Sequence, residues 1–403
     1  MDSIVDEELI NGLSQRDVLE ELSVVPSNAE IKMTIKQLTN GKSSGNDGIL
    51  AEIYKCGSSL LLRKLCELFS LIWELGSVPQ EFKDASIVHL YKNKSNKCEC
   101  DNYRGISLLC VAGKILRMVI LNRLNDALDI LVLLESQCGF RAGRGTVNII
   151  FSQRQLQEKG LEHKRDLFVT SVDLTKIFDT VSRGALWVVP GKLGVLEKVL
   201  DVIISFHQGM MASTRSGEEV SDYSQFQMGQ KKGCVLAPLL FALYFSVILS
   251  IREGAKFAYK TGGGLFNQQR FKAKTKTLVQ TVRDLLLSDD CALVAHILED
   301  MQWILDNFSR ASKAFRLNIS IKKTELVHQP IRDHPPAVPP TVYADGKALK
   351  TVSSFIYLGS IVSNDIKVNK EIEPRMGKAS SAFGKLYHRL LEQPQRIVES
   401  ESL

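Results

Sequence analysis

Apolar residues recur every three or four positions over several long stretches of the chain, and this spacing predicts amphipathic helices. The first begins at Ser27, because Ser27 and Glu30 have the spacing of a capping box and Ile31 and Ile35 start one apolar stripe. The other predicted helices are Leu60–Leu75, Ile106–Arg123, Arg183–Leu200 with a break at Pro190-Gly191, Leu298–Arg316 and Glu371–Leu391.

Shorter runs of alternating or β-branched apolar residues predict strands between these helices. The predicted strands are Ser86–Tyr91, Asp166–Asp173, Asn318–Val327 and Phe355–Val362. Two further apolar runs within Arg283–Ala295 flank Ser288-Asp289-Asp290, which is the pattern of a hairpin with acidic residues at its turn. Because helices and strands follow one another in irregular order, the predicted fold class is α+β.

The most apolar segment, Cys234–Ile251, has about the length of a marginal membrane span. Pro238 lies near its start and no strong basic flank follows it, so a buried core helix is predicted instead. Met1–Glu20 is acidic and polar, unlike a secretory signal peptide. These features predict a cytoplasmic or nuclear protein without a membrane partner.

Composition narrows the class of protein only slightly. The chain has 403 residues, a formal net charge of +6 and a pI of about 8.8, which is compatible with nucleic-acid binding. Its eight cysteines are scattered, which argues against a disulfide scaffold. Cys98 and Cys100 form a C-x-C pair with no further zinc ligands nearby, so free thiols are predicted.

Two acidic clusters carry the candidate chemistry: Asp173 at the end of a predicted strand, and Asp289-Asp290 at the predicted hairpin turn. Adjacent carboxylates repel each other unless they are solvated or neutralised by a divalent cation. Two Mg²⁺ ions roughly 3.5–4 Å apart could activate a 3′-hydroxyl and stabilise a leaving pyrophosphate. Taken alone, a solvated turn explains the Asp-Asp pair more simply, and Asp173 could be a helix cap.

Several segments, in one order along the chain, resemble the motifs of non-LTR (LINE-like) retrotransposon reverse transcriptases. VDLTKIFDTVSR at 172–183 resembles motif A, GCVLAP at 233–238 resembles the core of motif B, and LSDD at 287–290 occupies the place of the Tyr/Phe-Ala-Asp-Asp box. NISIKKTE at 318–325 resembles motif D, and Tyr357-Leu358-Gly359 resembles the primer-grip motif E. NYRGISLL at 102–109, QCGFR at 137–141 and Gly41–Gly48 resemble motifs of the fingers.

The resemblance implies an RNA-directed DNA polymerase with a right-hand palm, fingers and a partial thumb. Asp173 and Asp289 would be the principal ligands of two Mg²⁺ ions, Asp290 the third acidic member, and the Leu174 carbonyl would complete the set. Phe178 would lie under the sugar of the incoming dNTP and exclude a 2′-hydroxyl. The other implied contacts are Lys92 and Arg104 at the triphosphate, Lys232 and Gly233 in motif B, Lys323 near the departing pyrophosphate, and Tyr357, Leu358 and Gly359 at the primer.

The resemblance also implies how the chain is organised. The expected parts are an acidic N-terminal segment over 1–25, fingers and N-terminal palm over 26–165, palm with the metal site over 166–330, and a primer-grip strand with a thumb or connector helix over 331–403. The implied partners are an RNA template and a DNA primer, with dNTPs as substrates. For Lys323, a solvated strand lysine is an equal alternative.

Several residues depart from the family pattern while the carboxylates are retained, among them Ser288, a small residue in place of alanine. Leu287 stands in place of an aromatic residue, Ile177 of alanine, Lys232 of glutamine and Leu50 of proline. Such changes are typical of a truncated and diverged element copy. The predicted function is therefore reverse transcription, with two alternatives: a catalytically weak nucleic-acid-binding remnant, and a polymerase using NTPs, against which Phe178 argues.

Overall fold

The computed structural model describes residues 15–92, 96–128, 138–139, 143–175, 183–217, 219–225, 234–248, 255–260, 277–282, 284–287, 290–314, 317–331, 338–367 and 369–390. Its helices are α1 (Asn28–Gln37), α2 (Ala51–Cys56), α3 (Ser59–Leu75), α4 (Gln80–Lys83), α5 (Val111–Leu128), α6 (Thr146–Glu162), α7 (Arg183–Lys192), α8 (Glu197–Ser205), α9 (Ala237–Ile248), α10 (Leu298–Ala314) and α11 (Asn369–Leu390).

The strands are β1 (Ala85–Tyr91), β2 (Tyr103–Leu108), β3 (Leu167–Val172), β4 (Met211–Ser216), β5 (Glu219–Val220), β6 (Ser224–Gln225), β7 (Ala255–Lys260), β8 (Thr277–Val282), β9 (Asp284–Leu287), β10 (Asp290–Ala295), β11 (Glu325–Gln329), β12 (Tyr343–Ala344), β13 (Lys347–Ala348), β14 (Lys350–Val352), β15 (Ser354–Tyr357) and β16 (Ser360–Ser363). The mixture of helices and strands confirms the predicted α+β class.

The predicted helix Ile106–Arg123 is wrong at its beginning. Tyr103–Leu108 forms β2, which pairs antiparallel with β1 so that Leu90 lies opposite Arg104, and the helix begins only at Val111. A short apolar run fits both a strand and a helix, and the availability of β1 as a partner decides between them.

The predicted single strand Phe355–Val362 is a two-stranded hairpin. β15 and β16 pair antiparallel through a two-residue turn, Leu358-Gly359. Both turn residues have positive φ, 50° and 80°, which is the backbone of a type I′ turn. Leucine is an unusual residue for that conformation, so the apolar sequence of this segment does not indicate a turn.

The predicted break at Pro190-Gly191 lies a few residues too early. Helix α7 continues to Lys192, and the Pro190 carbonyl accepts a hydrogen bond from Val195 N at 3.0 Å. Proline in the last turn of a helix removes one hydrogen bond, but the helix can continue through it. The reversal occurs at Gly194, whose φ of 91° favours glycine.

The sheet that carries the acidic residues has the order β14-β11-β3-β10-β9. Alternate residues of β3 and β10 enter two separate cores. Phe168, Val172, Cys291 and Leu293 belong to the larger core, which includes the buried face of α10. Their sequence neighbours belong to a smaller core closed by α6 and the β15–β16 hairpin. The sheet is therefore held rigidly from both faces.

A second sheet has the order β2-β1-β4-β5, with β6 also paired to β4. Strands β1 and β4 are parallel, whereas β1 and β2 form an antiparallel pair. The β2–α5 junction lies against the Gly41–Gly48 loop, because Gly45 contacts the backbone of Leu109 and Cys110. This loop and the sheet thus form one packed unit.

The apolar segment that begins at Cys234 forms a core helix, as predicted. Helix α9 has 12 residues, and Ala237 and Leu239–Leu243 are buried. Across the part of the chain that the structure describes, no helix combines the length and apolar character needed to cross a bilayer. None of the eight cysteines is paired in a disulfide.

The predicted capping box is present and is tied to a partly buried ion pair. Glu30 N donates to Ser27 Oγ, while Ser27 N donates to the Glu30 carboxylate at 2.8 Å. Arg123 of α5 donates to both oxygens of that carboxylate, through Nε at 2.6 Å and Nη2 at 2.9 Å. The hydrogen bonds from Arg123, opposed by burial, lower the pKa of Glu30 from 4.5 to about 2.

We expect Glu30→Gln to lower the free energy of unfolding by about 1–2 kcal/mol at pH 7, a range discounted for the partial exposure of the pair. Because the pKa of Glu30 is lower in the folded chain, its contribution is fully present above pH 4.5 and is lost as the pH falls towards 2. Urea unfolding at several pH values should therefore show wild type and variant converging below pH 4.5. Glu67→Gln, which breaks an exposed pair with Lys64, should cause no measurable change. A constant difference at all pH values would contradict the prediction.

Candidate active site

The ends of β3 and β10 bring two predicted carboxylates together. Cys291 lies opposite Val172 in the antiparallel ladder, and continuing that register by one residue sets Asp290 opposite Asp173. Adjacent strands are about 4.8 Å apart, and opposite residues point to the same face. Asp290 is exposed and the Asp173 side chain is 41% exposed, so both carboxylates are accessible.

The hairpin predicted around the Asp-Asp pair is confirmed by the pairing of β9 and β10, in which Asp290 lies opposite Leu287. Asp289 itself lies outside the described residues, as do Phe178, Lys232 and Gly233. Leu287 is half-buried and packs against the smaller core. Leu287, which stands where the family has an aromatic residue, therefore helps to anchor the hairpin to the core.

The strand predicted over Asn318–Val327 begins only at Glu325. Residues 318–324 instead form a loop that holds Asp173 in place. Ser320 N donates to the Asp173 carbonyl at 2.8 Å, and Asp173 N donates to Thr324 Oγ1 at 3.3 Å. Lys323 Nζ donates to Asp173 Oδ1 at 3.2 Å. The loop thus holds the backbone of Asp173 and supplies a positive charge that reduces the repulsion between neighbouring carboxylates.

Leu174 is buried in the larger core and forms an isolated antiparallel bridge with Ile319. Its neighbour Thr175 donates through its backbone N–H to the Asn318 carbonyl at 2.9 Å. Because the side chain is buried, only the backbone of Leu174 could reach a ligand, as the motif implies.

Tyr357 connects the predicted primer grip to the acidic hairpin. The side chain is 3% exposed, and its hydroxyl donates to the Leu285 carbonyl at 2.6 Å and lies 3.3 Å from the Asp290 carbonyl. Burial raises the pKa of this hydroxyl well above its usual value. Tyr357 therefore supports the strands that carry Asp290, whereas at the turn Gly359 is exposed and Leu358 is half-buried against the smaller core.

Leu358→Asn should be about 1 kcal/mol more stable than Leu358→Val, because both lose part of the contact that Leu358 makes with the smaller core but asparagine adopts the left-handed backbone at lower cost. Chemical unfolding of wild type and both variants would measure the difference. Leu358→Val serves as the control and should destabilise, since a β-branched residue fits positive φ poorly. Equal stability of all three proteins would show that the turn carries no strain.

Lys92 and Arg104 lie together on one hairpin of the second sheet. Lys92 N donates to the Asn102 carbonyl at 2.8 Å, which extends the β1–β2 ladder beyond Tyr91. Leu90 lies opposite Arg104 in this ladder, and Lys92 follows Leu90 by two residues. The Lys92 and Arg104 side chains are therefore diagonal neighbours on the same face of the hairpin. Arg104 is exposed and Lys92 is half-buried. The pair forms a basic site suited to phosphate oxygens.

The donor chemistry of the acidic residues suits a hard divalent cation. Asp173 and Asp290 offer carboxylate oxygens, which Mg²⁺ prefers, whereas the neighbouring Cys291 thiol is buried in the larger core. Residues with defined positions contain no group of three or more acidic, histidine or cysteine ligands. Asp289, the third acidic residue of the motif, adjoins Asp290 in the chain.

The model of the family "Reverse transcriptase (RNA-dependent DNA polymerase)" matches residues 91–362. The chain belongs to the reverse transcriptase family. The matched range contains both strand ends, the loop that fixes Asp173 and all but the last residue of the β15–β16 hairpin. The family predicted from the ordered motifs is therefore confirmed.

Several proteins of mobile elements are similar in sequence to this reverse transcriptase. The putative 115 kDa protein in type-1 retrotransposable element R1DM of Drosophila melanogaster is 30% identical over 55% of the chain and 21% of its own length. The RNA-directed DNA polymerase from mobile element jockey of Drosophila melanogaster is 27% identical over 54% of the chain and 24% of its own length. The protein of the same description from Drosophila funebris is 24% identical over 85% of the chain and 36% of its own length. The chain thus spans a fifth to about a third of these relatives, and the predicted retrotransposon ancestry is confirmed.

Sequence reasoning missed the residues that support the reverse transcriptase carboxylates. Ser320 and Thr324 hold Asp173 through hydrogen bonds with its backbone, and neither has a periodicity or charge that would mark it. The supporting role of Tyr357 was also missed, because a motif names a position without saying which way its side chain points.

Proposed function

We propose that this chain catalyses RNA-templated DNA synthesis, extending a DNA primer with dNTPs. The observation that carries the proposal is the strand register that sets Asp290 opposite Asp173 within a chain of this family. Asp173, Asp289 and Asp290 would hold two Mg²⁺ ions, with the Leu174 carbonyl completing the ligand set. When bound, these ions would promote ionisation of the 3′-hydroxyl and stabilise charge on the pyrophosphate.

The chain's own residues would position the reactants. Arg104 and Lys92 would bind the triphosphate through charge-assisted hydrogen bonds, which suit two basic residues on one face of a hairpin. Lys323 would donate towards the departing pyrophosphate from its place beside Asp173. Phe178 would pack under the deoxyribose and exclude a 2′-hydroxyl, while Lys232 and Gly233 would lie against the nascent base pair.

We also propose the division into parts that the motifs imply. Residues 26–165 would supply the fingers and N-terminal palm, 166–330 the palm, and 331–403 the primer grip and a thumb or connector helix, after the acidic segment 1–25. Leu358 and Gly359 would contact the primer strand. Support comes from the exposure of Gly359 and from the buried Tyr357, which links the turn to the Asp290 strand.

The test is primer extension on an RNA template annealed to a DNA primer, with Mg²⁺ and either dNTPs or NTPs. We expect extension with dNTPs and little with NTPs, and loss of extension in Asp289→Ala. Equal extension by wild type and Asp289→Ala would refute the carboxylate assignment. Preference for NTPs would favour the alternative polymerase and contradict the role of Phe178.

The second candidate is a nucleic-acid-binding remnant with weak catalysis, which Leu287 favours because it removes an aromatic surface beside the acidic hairpin. This candidate predicts salt-dependent binding to an RNA–DNA hybrid without synthesis. Leu287→Tyr together with Lys232→Gln should then raise extension about ten-fold or more, an effect of roughly 1.4 kcal/mol on the barrier. Extension unchanged by these reversions would reject divergence as the cause of weak activity.

A further inference from the structure

One largely buried carboxylate joins the first turn of α11 to the β15–β16 hairpin. The Glu371 side chain is 16% exposed, and its Oε2 accepts hydrogen bonds from Ser360 Oγ at 2.8 Å and from Arg154 Nη2 at 2.9 Å. Its Oε1 lies 2.6 Å from Nη2 of Arg375, one turn further along α11. A single carboxylate therefore connects three elements, α6, β16 and α11.

Arg375 extends this connection to the turn between β15 and β16. Its Nη2 also donates to the Gly359 carbonyl at 3.0 Å, so the same nitrogen contacts both the Glu371 carboxylate and the turn. The Arg375 side chain is 60% exposed, and the buried carboxylate is what restrains it. Charge-assisted hydrogen bonds of this kind fix both distance and direction. A shift of α11 would therefore move the turn or break the hydrogen bond to it.

The strands of the hairpin are attached to the rest of the protein by contacts that do not involve Glu371. Gln157 Nε2 of α6 donates to the Ser363 carbonyl at 2.7 Å, and the Tyr357 hydroxyl lies 3.3 Å from the Asp290 carbonyl. Removing the charge of Glu371 should therefore loosen α11 and the turn while β15 and β16 stay beside the acidic hairpin.

The helix that Glu371 anchors has a basic and apolar surface. From Pro374 to Leu390 its sequence contains no acidic residue. Its exposed side chains include the basic Arg375, Lys378 and Lys385 and the aromatic Phe383 and Tyr387. Basic groups bind backbone phosphates and aromatic rings pack on sugars and bases, so this surface suits a nucleic-acid strand.

We propose that Glu371 is a positioning residue, which acts through Arg375 to hold the Leu358-Gly359 turn and the beginning of α11 in one arrangement around the DNA primer. This inference rests on the proposed function, in which that turn contacts the primer. With both elements fixed in advance, binding the primer would not have to order them. Loss of the carboxylate should weaken primer binding and leave the metal-binding residues unaffected.

The test compares affinity for an RNA template annealed to a labelled DNA primer with the rate of extension, below the melting temperatures of all variants. In Glu371→Gln the amide has one acceptor oxygen instead of two, so it cannot hold Arg154 and Arg375 together. We expect the dissociation constant, measured by fluorescence anisotropy in EDTA at fixed salt, to rise about ten-fold. The single-turnover extension rate with Mg²⁺ and saturating hybrid should stay within about two-fold of wild type.

Glu373→Gln is the matched control, because Glu373 is exposed on the same turn of α11 and the substitution removes the same charge. It should change neither the dissociation constant nor the extension rate. An equal rise of the dissociation constant in the two variants would overturn the proposal, since net charge alone would then explain the effect. An unchanged dissociation constant in Glu371→Gln would also overturn it.

Arg375→Gln tests the route from the carboxylate to the turn. It should fold like wild type, because Glu371 keeps its bonds to Arg154 and Ser360. We expect a rise of the dissociation constant of about five-fold, and no further loss when Arg375→Gln is added to Glu371→Gln, since the two residues act in series. Losses that multiply in the double variant would overturn the proposal. If Glu371→Gln does not fold, an unchanged dissociation constant in Arg375→Gln overturns it alone.

Failure of this inference and failure of the proposed function would give different results. Binding in EDTA requires neither a metal ion nor synthesis. A wild type that binds the hybrid without extending the primer would reject the proposed function, and the effect of Glu371→Gln on affinity would still decide the positioning role. Extension by wild type with equal affinity in Glu371→Gln would reject the positioning role alone.

Discussion

Asp173→Asn is expected to lower the rate of RNA-templated primer extension by about a thousand-fold or more, equivalent to roughly 4 kcal/mol of transition-state stabilisation. The amide is nearly the same size as the carboxylate but carries no charge to hold a divalent cation. The free energy of unfolding should change by less than about 1 kcal/mol, since the ion pair with Lys323 is exposed. Single-turnover extension and urea unfolding of the same preparation would measure both quantities.

The structure explains why activity and stability should separate at this residue. Ser320 and Thr324 hold Asp173 through its backbone, so the substitution leaves those hydrogen bonds intact. Lys323→Met is the matched control, because it breaks the same ion pair but keeps the carboxylate, and it should retain far more activity than Asp173→Asn. Comparable losses in the two variants would mean that the ion pair, rather than metal binding, accounts for the effect.

Gly45→Ala is expected to destabilise the protein by about 3 kcal/mol, at the upper end of the range for overpacking. A Cβ at this position would lie 2.5 Å from Cys110 N and 2.7 Å from both Cys110 Cα and the Leu109 carbonyl carbon. All three atoms are backbone at the junction of β2 and α5, so no side-chain rotation relieves the clash. Chemical unfolding would detect the loss as a lower midpoint with an unchanged slope.

Gly145→Ala is the matched control for that substitution. Gly145 has extended backbone where it precedes helix α6, and a Cβ there meets nothing within 4 Å. Its replacement should change stability by only a few tenths of a kcal/mol. If Gly45→Ala proved equally mild, the Gly41–Gly48 loop would have to be free to move away from the β2–α5 junction.

Local chemistry made several elements predictable. The capping box at Ser27 and Glu30 involves residues three apart, and the hairpin at the Asp-Asp pair follows from adjacent apolar runs. Where the prediction failed, a distant partner decided the structure. Tyr103–Leu108 is a strand because β1 is available to pair with it, and residues 318–324 form a loop because they wrap around the end of β3.

The sequence by itself determined the family, because motifs in a fixed order record common ancestry whatever their local structure. It also determined which carboxylates to examine and the course of most helices, since amphipathic periodicity is a property of the chain alone. Only the tertiary structure decided which side chains face one another. The register of β3 and β10 aligns Asp173 with Asp290, and the Tyr357 side chain turns inward to bond to the Leu285 carbonyl. Residues far apart in the chain make these contacts, and local spacing contains no information about them.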